Sequence, residues 1–382
     1  MGCMALSYSL INLLHKIELE NKLLFKYIFF DGEKDQKYPR QIAKSLGIYE
    51  DHIMSSQLPP VRRFRSIVRR PHNLFKYIKN IRTCKFAIDM TGGDSFSDIY
   101  GDDRFIYGTN VKLFTEWLGV PLILGPQTYG PYSERNIEKA KRAIKNSVLV
   151  MTRDDISAEL VKNISGIDPI AVTDVAFILP YEKEQNQPAN KIKIGVNISG
   201  LLVKDQVEKT TINEILKTDY DEYIKLLLDE LTKHDDYEIH FIPHVTADVT
   251  AIERVKKLYP GAICPDMFKN PMEAKSYISK MDFFTGARMH ATIAAFSSHV
   301  AVIPAGYSKK FIGLFKSLDY DHVLDFRTFN TEQAVKFTLN GITERENLKQ
   351  ETFKGMQKLN FKLDLMKNTL ENKILKLISE AQ

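Results

Sequence analysis

The sequence predicts an α/β protein made of two Rossmann-like, doubly wound domains facing a cleft. Three observations lead there. Short apolar runs without polar alternation recur along the chain and stop at Gly, Pro or a charge, as the strands of a parallel sheet covered on both faces do. Amphipathic helical stretches separate these runs. At 382 residues the chain is too long for one ordinary core, which favours two domains.

The elements follow in order. MGCMALSYSLINLLHKIELE has apolar residues at helical spacing and no basic start, so it reads as a helix and not as a signal peptide. KFAIDMTGG (Lys85–Gly93) and VPLILGPQTYG (Val120–Gly130) read as strands with their glycine-bearing exits. ERNIEKAKRAIKNS is an amphipathic helix, VLVMTRDD a strand ending in charge, and IAVTDVAFILP a further strand. YEKEQNQPANK (Tyr181–Lys191) is polar, holds a proline and lacks a hydrophobic period, as a linker should. Beyond it the pattern restarts with KIKIGVNISG, then alternates helix and strand through YEIHFIPHV, MDFFTGAR and VAVIPAG. The expected division is residues 1–185 as the first domain, 191–342 as the second, and 343–382 as an amphipathic helical tail.

Composition narrows the classes. The chain is 44% hydrophobic and 26% charged, the balance of a soluble globular protein. No apolar run approaches the ~18 residues that span a bilayer. Three separated cysteines, Cys3, Cys84 and Cys264, argue for a reducing compartment and against a disulfide scaffold. A cytoplasmic location is expected. There is no H-E-x-x-H, no paired CxxC, no G-x-S-x-G and no P-loop. No carboxylate spacing implies a metal site, so no cofactor is expected.

Net charge is +5, but Arg62 to Lys85 holds nine Lys and Arg with no Asp or Glu. This segment, with its interleaved Phe, Ile and Leu, reads two ways. It is a cationic surface that contacts an anionic membrane at the inner face or attracts a phosphorylated substrate, or a solvated helix face with its apolar side turned inward. The acidic remainder and the absence of a base-reading motif argue against nucleic acid.

Ligands of open α/β sheets sit at the carboxyl ends of strands, so polar groups there are the candidates. In GARMHATIAAF, Gly286 permits a tight turn, and Arg288 and His290 follow it at a helix start. Free amides and the helix dipole favour an anion there. Arg288 has the fork to grip a carboxylate or phosphate. His290 beside that anion is favoured as a cation able to donate a proton. A structural ion pair and a core histidine would present the same letters. Lys310 starts the next helix, or is simply solvated there. Arg153 and Asp154 follow a strand, as ligand groups or as an internal pair. Thr91-Gly92-Gly93-Asp94 offers amides and a carboxylate suited to sugar hydroxyls.

Taken in order, these strand-end motifs resemble the polysaccharide pyruvyl transferase family. The resemblance rests on Thr91–Asp94, on Leu124-Gly125-Pro126-Gln127-Thr128-Tyr129-Gly130-Pro131, and on Arg153-Asp154 with Ser157. It continues with Thr173-Asp174-Val175-Ala176-Phe177, Arg288–His290 and Tyr307–Lys310, and covers roughly Gly2 to Leu324. It implies a GT-B-like fold and a bacterial enzyme of cell-surface exopolysaccharide synthesis. The implied reaction moves the enolpyruvyl carbons of phosphoenolpyruvate onto two hydroxyls of a polysaccharide or lipid-linked sugar, forming a pyruvate ketal and releasing phosphate. Carried onto matching positions, Arg288 and His290 hold the donor, with His290 the proton donor. Arg153 and Lys310 are further donor contacts, and Gly92, Gly93 and Asp94 face the acceptor. Two features depart from the family pattern. The usual first strand has no counterpart before ALSYSLINLL, and Gly-Gly-Asp replaces a triple glycine. Two other readings remain at this point: a nucleotide-sugar glycosyltransferase on the same fold, and a non-catalytic carbohydrate-binding protein of a polysaccharide locus.

Overall fold

Parallel strands form where the short apolar runs lie, and helices connect most of them. This computed structural model describes residues 1–30, 36–61, 69–93, 96–99, 101–183, 191–204 and 216–380, and for 309 and 310 the backbone alone. The chain divides into two compact units. One comprises Met1–Ala5 and Ala176–Asn360, the other Leu6–Val175 and Phe361–Gln382. The switch of units at Ala176 precedes the polar stretch expected as the linker, most of which, 184–190, lies outside the described residues.

In the unit centred on residues 176–360, the strands are β7 (Ile192–Asn197), β8 (Tyr237–Phe241), β9 (Phe283–Gly286), β10 (Ala301–Gly306) and β11 (Leu324–Asp325). Their order is β8-β7-β9-β10-β11, all parallel. An isolated parallel bridge from His240 to Ile263 extends the sheet beyond β8. Strand order reverses between β7 and β9, the point where doubly wound sheets open a crevice at their carboxyl ends. Helices α7 (Tyr220–Leu231) and α12 (Thr331–Thr343) pack on one face, joined by Tyr223 and Thr338 hydroxyls 2.9 Å apart. Gly341 of α12 lies against Ile303 and Phe283, leaving no room for a Cβ. α10 (Met289–Ser297) is buried from Ala291 to Ser297, which explains why its sequence is almost wholly small and apolar.

In the other unit, β1 (Tyr27–Phe30) pairs with β2 (Ile53–Ser56), and β3 (Ala87–Asp89), β4 (Leu122–Gln127), β5 (Leu149–Thr152) and β6 (Ile170–Ala171) form a four-stranded parallel sheet. No strand joins β1 to β3 among the described residues. The helix α1 (Gly2–Glu20) precedes β1 directly, as the apolar spacing predicts. Helices α3 (Pro71–Ile81), α4 (Asp102–Trp117), α5 (Glu134–Asn146) and α6 (Asp155–Ser165) follow their strands in turn. Phe105, Leu122, Leu124, Val150 and Val161 gather in one core cluster.

The tail is a single helix, α13 (Arg345–Glu380), which continues from one unit into the other. Among residues 345–360, Glu351 pairs with His322 at 2.7 Å. Among residues 361–380, Glu371 accepts from Asn21 at 2.6 Å, and Lys367 pairs with Glu20.

Candidate functional site

The site is built at the switch point of the 176–360 unit. Three strand ends converge there, and one carboxylate ties them together. Asp248 lies in the first turn of α8 (Thr246–Leu258), fully buried. It accepts from the backbone N–H of Gly200 (3.0 Å) after β7, and from those of His244 and Val245 (3.1 Å each) after β8. From the end of β9, Arg288 donates to it through Nη2 (2.7 Å) and Nε (3.1 and 3.3 Å). A buried carboxylate survives only when paired and hydrogen-bonded, and this one has both.

Asn197, the last residue of β7, completes the frame. Its Nδ2 donates to the carbonyl of Ile242 at 2.9 Å, and its Oδ1 accepts from the Arg288 backbone N–H at 3.2 Å. A Cβ on Gly286 would come within 2.5 Å of Cβ of Asn197. The close approach of the β7 and β9 ends therefore demands glycine at this position.

Arg288 is the residue before α10, in extended conformation, and His290 is in the first turn. The Arg288 side chain keeps 18% of its surface exposed, and its bonds to Asp248 use Nε and Nη2, not Nη1. The arginine is thus both an ion-pair partner and a cation with one edge outside that pair. His290 is half-buried, and Gly2 of α1 abuts it: a Cβ on Gly2 would lie 2.8 Å from its Nδ1.

His244 sits within the same cluster, 4% exposed, and among the described residues neither ring nitrogen has a hydrogen-bond partner. Burial first, then nearby positive charges including His290 and Arg288, hold its pKa well below the ordinary histidine value. It is a neutral imidazole among cations.

The remaining sequence candidates fall elsewhere. Gly92, Gly93 and Arg153 come together in the other unit. Gly93 has φ +85°, and a Cβ there would meet Arg153 Nη1 at 2.9 Å. Its N–H donates to Met90 and its carbonyl accepts from Thr128. Arg153 is buried, donating from Nη1 to Asp174 (2.7 Å) and from Nε to Thr128 (2.8 Å). Its partner is Asp174 of the Thr-Asp motif, while Asp154 caps α6 by accepting from Ser157 N–H. Nearby at the sheet's carboxyl end, Lys112 donates to Thr91 (2.6 Å) and pairs with Asp89 (2.9 Å). Oxygens of Gln127, Thr152 and Thr173 are buried there without hydrogen-bond partners among the described residues. Asp94 and the side chain of Lys310 lie outside the described residues; the Lys310 backbone is in the first turn of α11 (Lys309–Lys316), after β10. Among the described residues no cluster of His, Cys, Asp and Glu forms a metal site, and no helix is long and apolar enough to cross a membrane.

Neither Asp248 nor His244 is among the candidates drawn above from the sequence. An aspartate in a helix's first turn is ordinary, and only the fold brings it to Arg288. A faint signal existed: a histidine and an aspartate four residues apart follow a strand exit, HVTAD.

Comparison with known proteins agrees with the architecture. The chain is similar to a UDP-GlcNAc 2-epimerase from Neisseria meningitidis bound to UDP-GlcNAc (TM-score 0.62, 10% identity, 98% of each chain covered). It is similar to HepE of Anabaena in complex with UDP and glucose (TM-score 0.54, 10% identity, 96% of this chain and 95% of that one). MurG of Acinetobacter baumannii is a third likeness (TM-score 0.51, 12% identity, 95% of each chain). At such identity these show the fold, which is GT-B-like. No curated protein matches. The family model described as polysaccharide pyruvyl transferase matches residues 1–309, and on that match the chain belongs to the polysaccharide pyruvyl transferase family.

Proposed function

We propose that the chain transfers the enolpyruvyl carbons of phosphoenolpyruvate to two hydroxyls of a sugar in a bacterial cell-surface polysaccharide or lipid-linked oligosaccharide, in the cytoplasm. The observation that supports this most is the pairing of Arg288 and His290 at the switch point, in a chain of this family. The donor is a carboxylate and a phosphate on one small molecule. The α10 N-terminus and the Nη1 edge of Arg288 would take its negative charge. Asp248 fixes the direction of the guanidinium, so the fork is aimed before substrate arrives.

In this scheme His290 gives a proton to the vinyl carbon, and positive charge develops at the neighbouring carbon. One sugar hydroxyl adds there and loses its proton, phosphate leaves, and the second hydroxyl closes the ketal. Arg153 and Lys310 are proposed as further donor contacts. Gly92, Gly93 and Asp94 are proposed on the acceptor side. The internal bonds of Arg153 give it a second role, that of holding the Gly93 turn. The scheme calls on no metal, since Arg288, His290 and the helix end handle the charge.

The test is phosphate release from phosphoenolpyruvate in the presence of a panel of sugars and lipid-linked oligosaccharides. Acceptor-dependent release is expected. Release of a nucleoside diphosphate from a nucleotide sugar, with none from phosphoenolpyruvate, would replace this reading with glycosyl transfer.

A further inference from the structure

The basic segment contains a described helix, α3, whose outward face carries charge of a single sign around an exposed ring. Tyr77 and Ile81 point into a small core with Val120. On the opposite side His72, Phe75, Lys76, Lys79 and Arg82 are exposed, and Arg69 and Arg70 stand exposed just before the helix. Phe75 keeps 67% of its surface in solvent. Among the described residues, none of Arg69, Arg70, Lys76, Lys79 and Arg82 pairs with a carboxylate, and residues 62–85 contain no Asp or Glu.

Helix α5 shows what the ordinary case looks like in the same unit. Its outward face carries Glu134, Arg135, Glu138, Lys139 and Arg142, with both signs and no aromatic. Solvation alone needs neither a single sign nor an exposed ring. Beside α3 a second ring is exposed: Trp117, at the end of α4, with 76% of its surface in solvent. It stacks on Phe114 (5.7 Å between centroids), which stacks in turn on Tyr77 of α3 (6.0 Å).

Cations of one sign around exposed aromatic rings fit an interface with negative charge at its surface and hydrocarbon beneath. A nucleic acid duplex would match the charge but offers no free base face for Phe75, and a single strand, whose bases can stack on such a ring, is an outcome of the test below. We propose that the outward face of α3 rests on an anionic phospholipid surface, with the exposed Trp117, two ring contacts away from Tyr77, near enough to report it. This deepens the acceptor part of the proposed function, because a lipid-linked sugar is presented at such a surface. It does not depend on turnover, so the two readings fail separately.

The experiment is vesicle flotation of the full chain, with phosphatidylcholine alone and with phosphatidylglycerol added. Trp117 is the single tryptophan of the sequence, so its emission reports contact without a label. Binding is expected only to the anionic vesicles, with a blue-shifted emission and loss as salt rises. Lys76→Glu with Lys79→Glu should lower partitioning at least about tenfold, and Phe75→Ser should lower it at unchanged charge. These are exposed positions, and unchanged thermal unfolding confirms that the variants fold. Three results would overturn the proposal. They are no flotation with anionic vesicles at low salt, flotation that survives all these changes, and binding to a single-stranded oligonucleotide as tight as to the anionic vesicles.

Discussion

Arg288 and Asp248 carry the first prediction at the residue scale. Asp248 is buried and holds three backbone amides besides the arginine. Removing one member of a buried pair strands the other and costs about 3–5 kcal/mol. Asp248→Ala should therefore lower stability by about that amount in chemical denaturation, and Asp248→Asn by less, because it keeps acceptor oxygen for the amides. His244 sets a pH dependence. Its folded pKa is depressed below 6.5 by burial and neighbouring cations. Above pH 6.5 both folded and unfolded chains hold it neutral. Below that, the unfolded chain takes up a proton that the folded chain refuses, so stability falls as pH falls, by up to about 1.4 kcal/mol per unit. His244→Gln should flatten that acid slope relative to the parent chain; an unchanged slope would remove His244 from its cause. Lys275 acts in the alkaline range. Its Nζ is buried and donates to the carbonyl of Leu179 at 2.9 Å, and burial brings its pKa down to about 7. Between about pH 7 and the ordinary lysine pKa near 10.4 the unfolded chain is the one holding the proton. Stability should rise with pH over that window, and Lys275→Met should lose the rise.

At the scale of elements, burial separates the interior strand β4 from β1 and β3. β4 is buried at every residue, whereas β3 is half-exposed throughout and β1 is so at three of its four residues. Each of those two lacks a described neighbour on one edge. Hydrogen exchange should be faster in β1 and β3 than in β4 or β7, since unpaired edge amides face solvent. Strand and helix alternation was legible in the sequence because fully buried parallel strands are short apolar runs. The corner at Gly286 was legible for a similar reason: glycine, arginine and histidine interrupt an otherwise apolar strand and helix. What could not be read was partner choice. Asp248 and Arg288 are 40 positions apart and meet only because β7 lies between β8 and β9. Arg153 illustrates the same limit, with Asp174 as its partner and not the adjacent Asp154.

At the scale of the whole molecule, the tail is shared between units and is no appendage. Met366, Leu370, Ile374 and Leu377 recur at helical spacing, and all are buried. Ending the chain after Asn360 would remove that stripe from the unit formed by residues 6–175. The shortened chain should lose solubility or unfold at markedly lower temperature, as seen by calorimetry. The amphipathic pattern of the tail was visible in the sequence; its division between two units was not, since nothing in the pattern changes at Asn360. The central claim is that Arg288 grips and His290 protonates phosphoenolpyruvate. It is tested most directly by measuring phosphoenolpyruvate binding and phosphate release together on His290→Ala and Arg288→Ala. The account predicts that His290→Ala binds the donor but releases no phosphate, while Arg288→Ala fails to bind it. Normal turnover by His290→Ala would contradict it.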